Sequence, residues 1–121
     1  MSTEGFEVRF FKDKRGKELA QEYIDQMPEG HQGKTLKGID LLEEMGHMLR
    51  RPWADFLRDK IYELRPSYAS FEHRILYFFA GRIIVLTHGF LKKTQQTPPG
   101  EIDFAIKCRN EWLTQQPKTK K

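Results

Sequence analysis

Apolar residues recur along this chain with two different periods, and the change from one to the other divides it. Residues 6–11 alternate weakly and are rich in aromatic and β-branched side chains, which predicts a short first strand ending in the charged, Gly-containing turn 12–16. From Lys17 the apolar positions Leu19, Tyr23, Ile24 and Met27 follow helical spacing as far as Pro28, where a helix should stop. Leu36, Ile39, Leu42, Met45 and Leu49 keep the three-to-four spacing over 35–49. A second helix there should bury that stripe and leave Lys37, Asp40, Glu43 and Glu44 in water. The two would form an αα-hairpin, with Gly30, Gly33 and Gly38 weakening the start of the second helix by about 1 kcal/mol each relative to Ala.

Beyond a loop around Pro52 the period changes. Segments 61–65, 71–80 and 82–90 are dense in Ile, Val, Phe, Tyr and Leu, and the stretch 66–70 and the Ala80-Gly81 pair supply two turns, which describes an antiparallel meander. Pro98-Pro99-Gly100 then precedes Ile102, Ala105, Ile106, Arg109 and Leu113. These read as a last amphipathic helix with Glu101 and Asp103 in its first turn, where negative charge suits the helix dipole, and with Pro117 as its stop. The order is strand, two helices, three strands, helix: an α+β arrangement sharing one core, followed by a basic tail, 118–121, expected to be disordered.

Charge adds an asymmetry to this picture. Residues 1–59 hold ten Lys/Arg against twelve Asp/Glu, and residues 60–121 hold eleven against five, so the positive excess lies with the meander. A polyanion or an acidic protein surface is the partner such a distribution suits. The single cysteine, Cys108, excludes an intramolecular disulfide, a multi-cysteine zinc site and a CxxC redox motif. No apolar run approaches the length of a membrane span, and the opening residues lack the apolar segment of a signal peptide, so the expectation is a cytoplasmic chain with no membrane partner.

The element order, with Glu63-Leu64-Arg65 on the first meander strand, His73-Arg74-Ile75-Leu76-Tyr77-Phe78 on the second and Leu86-Thr87-His88-Gly89-Phe90 on the third, followed by Lys92-Lys93-Thr94-Gln95 and a helix opening at Glu101-Ile102, resembles the RelE/ParE superfamily of bacterial toxins and within it the phage-derived HigB-like branch. The resemblance implies a RelE-like single domain over 1–116, with 117–121 as a tail. It implies a type II toxin that cuts messenger RNA, often on the ribosome. It also implies a cognate helix-turn-helix antitoxin in a hetero-oligomeric complex, with neither a metal nor another cofactor. In that chemistry the ribose 2′-hydroxyl attacks the adjacent phosphate, so a base, an acid and a charge-stabilising cation are needed. Arg74 matches the family's arginine ahead of the Ile-Leu-Tyr strand core and is the leading candidate for the phosphate clamp, flanked by Lys92 and Lys93. Where relatives carry lysines on the first meander strand, this chain has Ile61 and Glu63; Glu63 is therefore the candidate base, with His73 or His88 as acid or base. Arg65, Lys93, Lys60 and Tyr68 complete the expected RNA-binding set. A ParE-like inhibitor of DNA gyrase, needing no nuclease site, and a nontoxic prophage remnant are the alternatives on the same fold.

Plainer readings stand beside these. Glu63 and Arg65 share a strand face and could be a surface ion pair of little energetic weight. Arg74 could simply keep a strand end soluble, and the two lysines could be a solvated loop. His73 reads as a satisfied edge histidine, and His88, in phase with Ile84, Leu86 and Phe90, as a half-buried structural one. Most aromatics on the strands belong to the core, leaving Tyr68 and Phe71 as exposed stackers; Trp53 and Trp112 are packing residues or partner anchors. His31, His47 and Cys108 show no spacing or neighbour that assigns them a role.

Overall fold

The computed structural model describes residues 5–117; the basic tail at 118–121 lies outside them. Strand β1 (Glu7–Phe10) leads to helices α1 (Leu19–Asp25) and α2 (Glu29–Met45). Strands β2 (Ala54–Arg58), β3 (Ile61–Leu64), β4 (Ser67–Tyr68), β5 (Phe71–Ala80) and β6 (Ile83–Leu91) follow, and helix α3 (Pro99–Gln115) closes the fold. The sheet runs β1-β6-β5-β3-β2, with the short β4 paired to β5 off this path. Only β1 lies parallel to its neighbour; the expected meander, β3-β5-β6, is antiparallel. The class is α+β, as the sequence pattern predicts.

Two cores sit on opposite faces of the sheet. On one, Ala20 and Ile24 of α1 and Ile39 and Leu42 of α2 pack against Leu64, Ile75, Tyr77, Ile84 and Leu86. On the other, Ile102, Ala105, Cys108 and Trp112 of α3 cover Ile61, Leu76, Phe78 and Val85. Each fully buried aliphatic side chain contributes about 1.5–3 kcal/mol relative to exposure, so the central strands are held from both sides.

Several details differ from the pattern. Helix α2 starts six residues earlier than predicted, at Glu29, and its buried face is His31, Thr35, Gly38, Ile39 and Leu42, whereas Leu36 and Met45 are exposed. Its glycines permit close approach: a Cβ at Gly30 would meet the Tyr68 ring at 2.4 Å and one at Gly38 the Trp53 ring at 3.1 Å. Glu43 is only partly wet, because its carbonyl and carboxylate accept from Phe6 N (2.8 Å) and Val8 N (3.2 Å) beside β1. Strand β2, read from sequence as loop, pairs with β3 through a two-residue turn in which Asp59 (φ 53°) and Lys60 (φ 64°) both lie in the left-handed region. Such a turn usually carries Gly, so Asp-Lys gave no hairpin signal. Arg109 Nη1 donates to the Asp59 carbonyl at 2.6 Å and Arg58 pairs with the Asp59 carboxylate at 2.8 Å, bracing it. Among the described residues no helix is long and apolar enough to cross a membrane.

Candidate active site at one end of the sheet

Alternation on β3 and β5 sends Glu63, Arg65 and Arg74 to the face that α3 covers, at the end of the sheet where α3 begins. Glu63 is 2% exposed. Its Oε2 accepts from Arg65 Nη1 at 2.5 Å and its Oε1 accepts from the Thr97 hydroxyl, which descends from the β6–α3 loop. Arg74 Nε lies 3.6 Å from Glu63 Oε1 and makes no hydrogen bond, although it is buried. Directly across the ladder from Glu63 is Asp55, and two facing carboxylates would repel were each not paired with an arginine, Arg65 on Glu63 and Arg51 on Asp55 (2.8 Å). A cleft of about 390 Å³ opens over this group, lined by Arg51, Asp55, Glu63, Arg65, Gln96 and Thr97 among others.

Arg74 is 1% exposed. Nη1 donates to the His73 carbonyl (2.8 Å) and Nη2 to Glu72 Oε1 (3.1 Å). Burial pushes its pKa down and Arg65 adds to that, while Glu63 and Glu72 oppose it. Its hydrogen bond to Arg74, then the charges of Arg74 and Lys92, hold the Glu72 carboxyl below the usual carboxylate range. The Lys92 ammonium sits 3.7 Å from Glu72 Oε1. Arg74 is therefore a buried strut, and the cations nearer solvent are Arg65, Lys92 and the exposed Lys93.

His88 is in a different phase from the predicted one. A bulge at Thr87 shifts the register so that His88 faces Leu76 while Leu86 faces Tyr77. The ring thus lies on the α3 face with Phe90, opposite Ile84 and Leu86. Glu63, Leu76 and His88 form one row across three strands, which places the first and last roughly 10 Å apart at the backbone. His88 Nε2 meets Glu101 Oε1 at 2.9 Å, and Nδ1 meets the Thr87 hydroxyl at 3.0 Å, which is also 3.2 Å from the Leu76 carbonyl. Rotating that hydroxyl proton between the carbonyl and Nδ1 serves either protonation state of the ring. Burial lowers the His88 pKa, and the hydrogen bond and charge of Glu101 partly offset this.

The structure therefore gathers Arg65, Arg74, Glu63, His88, Lys92 and Lys93 at one end of the sheet. Lys60 is not with them; it occupies the β2–β3 turn at the far end of β3, by a cleft shared with His47 and Arg109. Tyr68 lies beside α2, with its ring centroid 4.8 Å from that of His31. Thr97 and Glu72 were missed because their neighbours are set by a loop and a strand end rather than by a period. Glu101, which the sequence marks as a helix-dipole residue and as part of the opening of the last helix but not as a site residue, lies in the first turn of α3, where it reaches His88. Cys108 is buried and its thiol is pushed up to about 12, chiefly by burial, which leaves it unreactive. Among the described residues no group of three or more His, Cys, Asp and Glu side chains could hold a metal ion.

Compared with known proteins, residues 22–110 match the model of the family described as Phage derived protein Gp49-like, a stretch from α1 into α3 that includes every residue of the gathered site. No curated protein matches the chain.

Proposed function

We propose that this chain, which belongs to the phage-derived Gp49-like family within the RelE/HigB-type toxin group, is the toxin of a type II toxin–antitoxin pair and cleaves messenger RNA without a metal ion. The observation that carries the reading is the Glu63 carboxylate held between Arg65, Arg74 and Thr97 at the floor of a cleft at the sheet end that also holds Lys92 and Lys93. A substrate 2′-hydroxyl takes the place of the Thr97 hydroxyl on Glu63, which removes its proton as the oxygen attacks phosphorus. Arg65 neutralises the charge that builds on the phosphate, and Arg74 fixes Glu63 from behind. The bond to the 5′ oxygen breaks, and His88, on the same sheet face, supplies the proton that oxygen needs. The products are a 2′,3′-cyclic phosphate and a 5′-hydroxyl. Lys92 and Lys93 bind neighbouring phosphates. Messenger RNA on the ribosome is the proposed substrate, and a helix-turn-helix antitoxin the proposed partner.

Incubating the purified chain with translating ribosomes, and separately with single-stranded RNA in the presence of a chelator, tests this. The expected products carry cyclic phosphate ends, and Glu63→Gln slows their appearance about 10²–10⁴-fold, the usual weight of a general base. Growth arrest with intact RNA would instead favour protein-contact inhibition of the ParE-like kind.

A further inference from the structure

Turning from Arg74 to its neighbour His73 crosses the sheet, because successive strand residues face opposite sides. On the α1/α2 side, His73 Nδ1 meets the Tyr23 hydroxyl at 2.6 Å and His73 Nε2 meets His31 Nδ1 at 2.9 Å, so three titratable groups from α1, α2 and β5 form one chain, with both histidines buried and Tyr23 half-buried. Gly89 makes this possible: a Cβ there would meet the Tyr23 ring at 2.5 Å. The His31 ring lies among the exposed rings of Tyr68 and Phe71, with centroids 4.8 and 5.1 Å away. Beside them is a groove of about 380 Å³ whose walls include Tyr23, Met27, Pro28, Phe71 and Leu91, with the two histidines as its polar edge. His31 Nε2 has no hydrogen-bond partner among the described residues.

From this geometry we propose that the groove holds one unpaired base of the RNA, on the same strand as the cut, and reads it through His31. The inference rests on the cleavage reading above and adds to it a specificity pocket on the opposite face. Four features favour a base as occupant. The volume, at the small end of the range for ligand sites, suits a single planar heterocycle. The walls supply aromatic surface for stacking. The chain from Tyr23 to His31 can shift its protons in concert, so Nε2 meets a donor or an acceptor on a base edge; burial keeps Tyr23 protonated, its pKa pushed up to about 12. Finally, Leu91 of the groove is followed directly by Lys92 and Lys93, which places phosphate-binding cations where a strand would pass around the sheet end.

Titrating the full chain with the four ribonucleoside 5′-monophosphates, while following the imidazole ring signals of each histidine by NMR, tests the groove without relying on cleavage. The His31 and His73 signals should move and those of His47 should not. Phe71→Ala, at a position 46% exposed and so safe for the fold, should weaken binding on the order of tenfold. Signals of His31 and His73 that no nucleotide moves, or that only a protein partner moves, overturn the inference, as does an affinity that Phe71→Ala leaves unchanged. RNA cutting separates the two claims. Phe71→Ala should flatten base preference at one position on the cut strand by on the order of tenfold, and retention of the wild-type preference refutes the groove alone. A chain that binds nucleotide at His31 yet cuts no RNA refutes cleavage alone.

Discussion

Arg74 ends its reach on the His73 carbonyl and on Glu72, with Glu63 3.6 Å from its Nε and almost no surface in contact with solvent. Removing it empties a buried site and takes one of two arginines away from Glu63, which keeps Arg65 and Thr97, so Arg74→Ala should cost about 2–5 kcal/mol in denaturant unfolding and cannot by itself separate catalysis from folding. The double substitution Lys92→Ala and Lys93→Ala should change stability by no more than about 0.5 kcal/mol per site while weakening RNA binding and reducing its salt dependence. Cleavage rate against pH examines His88: as the proposed acid it must be protonated, and its pKa is lowered, so the rate should rise as pH falls from neutrality toward that value. His88→Gln should remove that limb. Cys108 offers a control, since a thiol pushed up to about 12 and 3% exposed should resist alkylation until the chain unfolds.

Elements with an unbroken period were legible in the sequence. Strand β5 falls on the residues that its run of aromatic and β-branched side chains predicted, and β6 and α3 differ only at their ends. Legibility failed where tertiary contact overrides period. The apolar Leu36 and Met45 keep helical spacing with Ile39 and Leu42, yet the surface of α2 that meets the sheet is made of Thr35 and Gly38 as much as Ile39 and Leu42, since small residues admit Trp53 and the strands. The Thr87 bulge reverses the phase of β6, which no alternation rule detects, and it is what brings His88 to the face of Glu63. Charged candidates near the Lys92-Lys93 motif were visible; the Tyr23–His73–His31 chain was not, because its members are 42 and 50 residues apart. Gly89→Ala probes how rigid that element contact is. The new methyl would press on the Tyr23 ring, and the expected loss is about 1–3 kcal/mol by thermal unfolding, with the His73 ring signals displaced.

At the scale of the whole molecule, two buried histidines couple folding to pH. Burial, then the charges of His31 and Arg74, lowers the pKa of His73, and burial lowers that of His88. Since both folded-state values lie below the unfolded one, the unfolded chain binds more protons in acid; stability is fully present above the unfolded histidine pKa, near 6.5, and is lost as pH falls through it toward the folded values. The melting temperature should therefore drop between about pH 7.5 and about pH 5, and His73→Gln should shrink that drop. Residues 60–97, which carry strands β3 to β6, hold six Lys/Arg against two Asp/Glu, and the central claim is that this charge serves to bind and cut messages. Its most direct test is to induce the chain in bacteria lacking the antitoxin and to map new 5′ ends across all transcripts, for the wild type and for a folded Glu63→Gln variant. The account predicts abundant new ends within translated frames that disappear in the variant; growth arrest with intact messages, or cuts that persist undiminished in Glu63→Gln, would contradict it.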